Sequence, residues 1–340
     1  MTFYPISARI GGLFYYSMPK RQKTIVVIYS GDDWKEKQPS MSDDSRHAFE
    51  YWHTHGLDHG VAVYRACIKW YDEEKHHFTK TWCFRDGAWK KVKGPIVPDM
   101  VYDKVASKHD YALHELKLRM AKHTKMFNHP DFRILCGNKL SQYLLFSPFM
   151  PISFMVHTRE ELKKTLSKIK VERAVLKPVY GSGGVGITID TKEKIMKKKL
   201  IFPLLLQEFI DGSNGIPGNK KKALMDLRIV FVNHKPIYAL SRTAKKNSFF
   251  TNFNQGAQTE IVPLRNIPSS VNAITKKIQH TLRVFPECQY CLDFIFTKKG
   301  KPVLMEMNTM PGLPGLDLAH LPKNEQIKKA SLLSILSLVA

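Results

Sequence analysis

The chain has 340 residues, of which 43% are hydrophobic and 24% charged, with 53 basic against 30 acidic side chains and a formal net charge of +23. That composition excludes a disordered chain or one small domain, and it suits about two or three globular units. Five cysteines are too few for a disulfide scaffold, no apolar run approaches the roughly 18 residues of a membrane span, and the positive charge predicts anionic partners such as nucleotides, acidic substrates, RNA or anionic lipid.

The opening stretch to Lys23 has scattered aromatics but no continuous apolar segment followed by a small-residue cleavage site, so no signal peptide is expected. "TIVVIYS" (Thr24 to Ser30) reads as a first buried strand running into a Gly-Asp-Asp turn. "DSRHAFEYWHTHG" reads as a helix with Ser42 or Asp44 as cap and Gly56 as stop. His53, His55 and His59 at its end have no carboxylate or cysteine cluster beside them, and a solvated helix end is expected there rather than a metal site. Strands follow in "GVAVYRACIKWYD" and in "TKTWCFRDGAWKKV", the latter turning at Asp86-Gly87, then a short strand in Pro98 to Val105 and a helix in "DYALHELKLRMAKH". Alternating strands and helices imply a mostly parallel sheet, ending near Pro130-Asp131.

A helix is expected to start near Asn138 and a strand to follow Pro151. "TREELKKTLSKI" carries a capping box, Thr158 to Glu161, ahead of an amphipathic helix. A basic helix is expected in Thr191 to Lys199, then "PLLLQEFIDG". Two hairpins complete the pattern. "DLRIVFVNHKPIYALSR" turns at Asn233 to Pro236, and "QYCLDFIFTKKGKPVLMEMN" turns at Lys299-Gly300. The apolar end, "SLLSILSLVA", reads as a helix that docks or frays. Cys288 and Cys291 form a single C-x-x-C with no second pair at zinc spacing, and two small residues of a buried strand are expected instead.

Chemistry concentrates in three places. In "VLKPVYGSGGVGITID", Gly181, Gly183, Gly184 and Gly186 let backbone N–H groups approach an anion, and Lys177 adds a point charge beside them. The β-branched residues downstream make this loop close a hairpin; it does not open a helix, as a Walker-type or dinucleotide loop would. In the last hairpin, counting outward from the turn sets Asp293 opposite Glu306, with Asn308 on the same face. Opposed carboxylates among apolar neighbours are costly, and a hard divalent cation relieves them. Oxygen donors alone fit Mg²⁺, with Mn²⁺ as a substitute, better than zinc. In the middle hairpin, Asp226, Arg228 and Arg242 fall at or near facing positions, and two close arginines suit a shared phosphate or carboxylate.

The order of Lys139, "VLKPVYGSGGVG", "LLQEFIDG", "DLRIVFV…LSR", "NFNQG" and "CLDFIF…LMEMNTMPG" resembles the ATP-grasp ligases, nearest to the RimK-like and glutathione-synthase-like type, over about residues 138 to 316. The resemblance implies an α/β (α+β) ATP-grasp fold with an N-terminal Rossmann-like pre-ATP-grasp domain. The expected divisions are 1–135, then 136–206 with the glycine-rich flap, then 207–340 with the metal site. It implies that Lys139 and Lys177 contact ATP phosphates, that Gly181, Ser182, Gly183, Gly184, Val185 and Gly186 form the flap, and that Gln207, Glu208, Phe209 and Ile210 form the linker reading adenine. Asp293, Glu306 and Asn308 would hold one or two Mg²⁺ ions, and Arg228, Arg242 and Asn252 would be catalytic. The implied reaction joins a carboxylate, on a small molecule or peptide, to an amine through an acyl phosphate, in a cytoplasmic enzyme that could be a homodimer. Asn138 stands where the family often has Asp, and Gln255 where a basic residue is common. "SNGIPGNKKKALM" (Ser213 to Met225) is a long basic insert whose expected role is acceptor choice. Two other readings stay open: an ATP-grasp nucleotide-binding protein without turnover, and a basic nucleic-acid-associated protein. No RNP-like or helix-turn-helix pattern accompanies the second.

Overall fold

A computed structural model describes residues 21–105, 110–181, 183–219, 221–252, 255–314, 318, 321 and 323–339. Three sheets follow one another along the chain.

The first sheet contains β1 (Lys23–Tyr29), β2 (Val61–Cys67), β3 (Tyr71–Asp72), β4 (His77–Arg85), β5 (Ala88–Ile96), β6 (Met100–Asp103) and β7 (Lys125–Phe127), in the order β3-β4-β2-β1-β6-β7 with β5 beside β4. β1 pairs in parallel with β2 and β6, and β6 with β7. β4 runs antiparallel to β2, β3 and β5, so the sheet is mixed where alternation alone implied mostly parallel pairing. Asp86 and Gly87 both take positive φ, as a tight hairpin turn requires.

Helix α1 (Asp43–Asp58) packs Phe49 and Trp52 against Ile25, Val27 and Tyr102 on one face. Helix α2 (Tyr111–His123) packs Met120 against Val26 and Ile28 on the other. Ser42 is the cap of α1, accepting from Ser45 N. Gly56 is not its stop; a Cβ there would meet Val61 O at 2.9 Å, so close helix–strand contact selects glycine. His53 corrects the expectation of a solvated histidine. It is 2% exposed, accepts from Phe84 N through Nδ1, and its ring is packed against Trp89.

The second sheet, in the order β10-β9-β11-β8, consists of β8 (Ser153–Val156), β9 (Arg173–Pro178), β10 (Thr188–Thr191) and β11 (Leu204–Glu208). Before it come α3 (Pro130–Cys136) and α4 (Lys139–Phe146); α5 (Arg159–Leu166) and α6 (Lys192–Lys197) lie between its strands. α5 carries the expected cap, Thr158 Oγ1 accepting from Glu161 N, while Glu161 Oε2 reaches back to His157 N. β9 and β10 pair antiparallel, so the glycine loop does close a hairpin.

The third sheet runs β14-β13-β12-β15-β16, with β12 (Met225–Val232), β13 (Lys235–Thr243), β14 (Gln258–Val262), β15 (Gln289–Phe296) and β16 (Pro302–Asn308). Its core gathers Phe132 and Cys136 from α3 and Val271, Ile278 and Leu282 from α7 (Ser269–Leu282). Cys288 and Cys291 are buried without a disulfide, Cys291 within β15 and Cys288 just before it. The insert folds onto this sheet, burying Ile216 in the same core. The C-terminal helix α8 (Asn324–Leu336) docks on the first sheet, where Leu332, Ile335 and Leu336 join Ile25 and Val27. Gln142 of α4 ties that helix to β16: Nε2 donates to Cys136 O (2.7 Å) and Met307 O (2.8 Å), and Oε1 accepts from Met307 N (2.9 Å). Among the described residues, no helix is long and apolar enough to cross a membrane.

Candidate functional site

Antiparallel register builds the acidic part of the site. β15 and β16 set Asp293 opposite Glu306 and Cys291 opposite Asn308, so the three oxygen-bearing side chains share a face. The sequence count reaches this pair through two features that cancel. Phe296 pairs with Pro302, which centres the tip on Lys299, and an irregularity after Asp293 leaves Met305 as an extra residue in β16. The Cα register returns to the counted one at Asp293.

The cations are placed by the neighbouring strands. Arg228 on β12 lies in register with Asp293 and grips it bidentately, Nε to Oδ1 at 2.8 Å and Nη2 to Oδ2 at 2.7 Å. Arg242 on β13 faces Asp226, donates from Nε to Asp226 Oδ1 at 2.8 Å, and reaches Asp293 Oδ2 from Nη2 at 2.9 Å. Thr251 Oγ1 completes Asp226 at 2.6 Å. The anion these arginines share is thus the chain's own Asp293. Burial alone would raise the Asp293 carboxyl; the Arg228 and Arg242 guanidinium groups outweigh it and hold it well below the usual carboxylate range. Glu306 has its own cation, Lys139 Nζ at 3.2 Å from Oε1. The like-charge repulsion inferred from the hairpin alone is therefore already relieved by side chains of the chain itself.

Lysines and backbone line the opposite wall. Lys139 begins α4, capped by Asn138 Oδ1, which accepts from Leu140 N and Ser141 N; the asparagine does the capping an aspartate would. Lys139 Nζ also donates to Gly181 O at 2.6 Å, tying it to the flap. Lys177 on β9 is buried, with Nζ 3.4 Å from Met305 O, and burial pushes its ammonium down to about 8, against the pull of Glu306. Gly181, Gly183, Gly184 and Gly186 all take positive φ, and Val185 at the tip is exposed. Ser182 lies outside the described residues. A Cβ on Gly184 would stand 2.6 Å from Asn252 Nδ2, so the flap meets the loop that carries Asn252.

Between these walls runs a cleft lined by Val175, Lys177, Ile187, Phe209, Ile210 and Met305, among others, opening onto Asp293 and Glu306. Phe209 stacks edge-on against Phe249 at 5.4 Å. Gln207 is fully buried and donates to Ser153 Oγ at 3.0 Å, and Glu208 N donates to Ile152 O, which fixes the strand leading into the cleft. An apolar slot with a lysine at one side and carboxylates at its end suits a planar base joined to a polyphosphate.

The donor set suits a hard divalent ion. A carboxylate offers about four lone-pair sites. Asp293 uses three on the arginines, leaving one on Oδ1, whereas among the described residues Glu306 is bound through Lys139 alone. Asn308 Oδ1 accepts from Met310 N at 2.9 Å and keeps a second lone pair. Monodentate Asp293, Glu306 and Asn308 form a hard, incomplete oxygen set that leaves positions for phosphate oxygens and water.

Sequence reasoning missed α3, β7, β14 and α7. It also missed the Arg228–Asp293 and Lys139–Glu306 pairs, whose partners lie far apart in the chain. For the first pair the sequence shows two arginines and two aspartates on β12, β13 and β15, but not which strands are neighbours. The second pair left no signal.

Comparison with known proteins bears on the family and the fold. A family model described as a RimK-like ATP-grasp domain matches residues 140–326. A probable alpha-L-glutamate ligase of Vibrio parahaemolyticus is 24% identical over 176 residues, which are 50% of this chain and 53% of that protein. The chain thus spans about half the length of the curated relatives it matches. A structure of the ATP-grasp ligase PsnB complexed with a phosphomimetic variant of its minimal precursor, Mg and ADP superposes with TM-score 0.55 at 15% identity, over 92% of this chain and 99% of that one. A Chryseobacterium gregarium RiPP-associated ATP-grasp ligase, in complex with ADP and a leader and core peptide, superposes with TM-score 0.58 at 16% identity, over 93% and 96%. These likenesses establish a mixed α/β ATP-grasp fold over most of the chain.

Proposed function

The chain belongs to the RimK-like ATP-grasp family, and from that premise we propose that it is an ATP-dependent ligase joining a carboxylate to an amine, with an amino acid or peptide as substrate. The observation that carries this reading is Asp293 opposite Glu306, with Asn308 on the same face, at the end of a cleft walled by Lys177 and the glycine flap. The similar proteins, a probable alpha-L-glutamate ligase and a ligase in complex with a leader and core peptide, support the substrate class.

Each part of the site then has a task. Phe209, Ile210 and Met305 hold the adenine in the cleft, with the Gln207–Ile210 backbone reading its edge. Lys139 and Lys177 neutralise phosphate oxygens, and the flap's backbone N–H groups cover them. Asp293, Glu306 and Asn308 would hold Mg²⁺, which supplies charge neutralisation on the phosphates. Arg242, with Arg228 behind it, stands ready for charge developing as the substrate carboxylate takes the γ-phosphoryl group. Asn252 positions the flap, and flap closure keeps water from the acyl phosphate until the amine attacks it. No protein nucleophile takes part. The three-part division and a cytoplasmic location belong to the same proposal; three successive sheets support the division, with its second boundary falling after β11, which ends at Glu208, and not at 206 inside it.

The test is a screen of amino acids and short peptides for ATP-dependent phosphate release, with mass spectrometry of the products. An amide product with one ADP per bond is expected. Nucleotide binding without phosphate release from any acid and amine pair overturns the ligase reading.

A further inference from the structure

The first sheet contains a feature that the nucleotide site does not use. Its strand order changes direction at β1: the chain leaves β1 through α1 to β2 on one side, and leaves β6 through α2 to β7 on the other. In open parallel sheets, ligands settle at the carboxyl ends of the strands at such a reversal. Two cations stand there. Arg65 on β2 is in register with Val27, on the face covered by α1. It is 4% exposed, its guanidinium carbon is 4.1 Å from the Phe49 ring centre and 4.8 Å from that of Tyr29, and its buried Nε and Nη1 have no hydrogen-bond partner. Lys104 follows β6 on the same face, its Nζ 4.7 Å from the Tyr102 ring centre and, among the described residues, donating to one neutral acceptor, Pro311 O, at 2.8 Å.

Neither cation has an ion-pair partner among the described residues, although two carboxylates lie close by. Asp103 is occupied by Lys117 at 2.8 Å and accepts from Val105 N. Asp33 is held by the Tyr29 hydroxyl at 2.6 Å, Trp82 Nε1 at 3.0 Å and Ser40 N at 2.7 Å. Burial pushes Arg65 down to about 10, despite Tyr29 and Asp33, and Lys104 down to about 7, with Arg133 adding to the effect. Buried positive charge left without a counter-ion is costly, and an anion arriving between the two groups relieves it.

We infer that Arg65 and Lys104 form a subsite for a substrate carboxylate that is not consumed in the reaction. Arg65 and Tyr102 both lie in register with Val27, and Lys104 is two residues beyond, so the two side chains spring from positions roughly 12 Å apart; allowing for their own reach, the gap suits a short dicarboxylic acid or an amino acid with an acidic side chain. Pro311, on the segment leaving β16 three residues after Asn308, links the subsite to the metal-binding strand through Lys104. The assignment rests on the ligase reading for the identity of its occupant as substrate; the binding itself does not.

The experiment titrates the full chain with glutarate and with glutaramide, the uncharged analogue, at constant ionic strength, following thermal stability and calorimetric heat. Saturable binding of glutarate and none of glutaramide is expected. Lys104→Met should weaken glutarate binding by about 10- to 100-fold, the usual effect of deleting a hydrogen bond to a charged group, and Lys104→Arg should restore most of it. Arg65→Met should act likewise, but Lys104→Met decides the matter should the Arg65 variant fail to fold. In turnover assays the Lys104 change should raise KM for the acid and leave KM for ATP in place. Glutarate binding unchanged by Lys104→Met, or equal binding of glutaramide, overturns the inference. Turnover with a KM indifferent to Lys104 sinks this subsite while the ligase stands; charge-dependent glutarate binding without turnover sinks the ligase while the subsite stands.

Discussion

In the proposed reaction, the charged face of the third sheet and the flap of the second meet the same ligand by opposite means. On the sheet, side chains do everything: three adjacent strands in fixed register hold Asp226, Arg228, Arg242 and Asp293 in an interlocked lattice. On the flap, side chains are withheld: four glycines at positive φ leave backbone alone to face the phosphates. The contrast follows from what is being bound. A metal ion and a migrating charge need point charges set to within a fraction of an ångström, and sheet register provides that. A polyphosphate with many oxygens needs a surface of N–H groups able to close and reopen, which a glycine loop provides.

The largest expected effects test the rigid half. Asp293→Ala and Glu306→Ala should each lower turnover on the order of 10³-fold or more, but they should part company in stability. Removing Asp293 leaves Arg228 and Arg242 buried without their shared anion, a loss of about 3–5 kcal/mol, whereas Glu306 is half-exposed and pairs only with Lys139. Urea unfolding of both variants checks this; equal destabilisation would show that the lattice is not what holds the strands. Next comes Lys177→Met, which should weaken ATP binding by about 10- to 100-fold while slightly raising thermal stability, because it removes a buried charge whose ammonium is already pushed down to about 8.

On the flap, Gly184→Ala should cost about tenfold in kcat/KM with a loss of only a few degrees in Tm. Its φ of +77° disfavours a side chain, and the added Cβ collides with Asn252 Nδ2. An unaffected kcat/KM would mean that the flap does not close against that loop. The smallest effect is in pH. Lys177 is charged below about 8 and neutral above, and bound phosphate favours the charged form. ATP affinity should therefore be flat below pH 8 and fall several-fold between pH 8 and 9, with uptake of up to one proton; calorimetry in buffers of different ionisation enthalpy reads this. Folding carries the opposite sign: with the folded value lowered to about 8, stability rises as pH increases from about 8 toward the unfolded lysine value near 10.5.

What could be read from the chain follows the same division. Asp293 facing Glu306 was reached from the sequence, but only because a tip centred on Lys299 and an extra residue at Met305 cancel. So was the glycine hairpin, because β-branched residues follow it. The pairing of β12 with β15 was not: the register of strands more than sixty residues apart is set by packing, and with it goes the Arg228–Asp293 bridge. His53 misled for a similar reason. Three histidines at one helix end look alike in sequence, yet only His53 turns inward, because the β4–β5 hairpin folds over that face and offers it Phe84 N and Trp89. α7 lacks a side-chain cap and begins after a proline, so it announces itself weakly.

The amide of Gln142 has a wider consequence. β16 is the outermost strand of its sheet, and by giving and taking a bond at Met307 this one side chain imitates the next strand. It shields a bare margin from adventitious pairing with other chains, and it splices a helix to a strand at the residue beside Glu306. Lys139, one turn earlier on that helix, consequently rides with the acid it faces. Should the second sheet swing against the third, the hinge must lie beyond α4, and the lysine–glutamate couple travels as a single part.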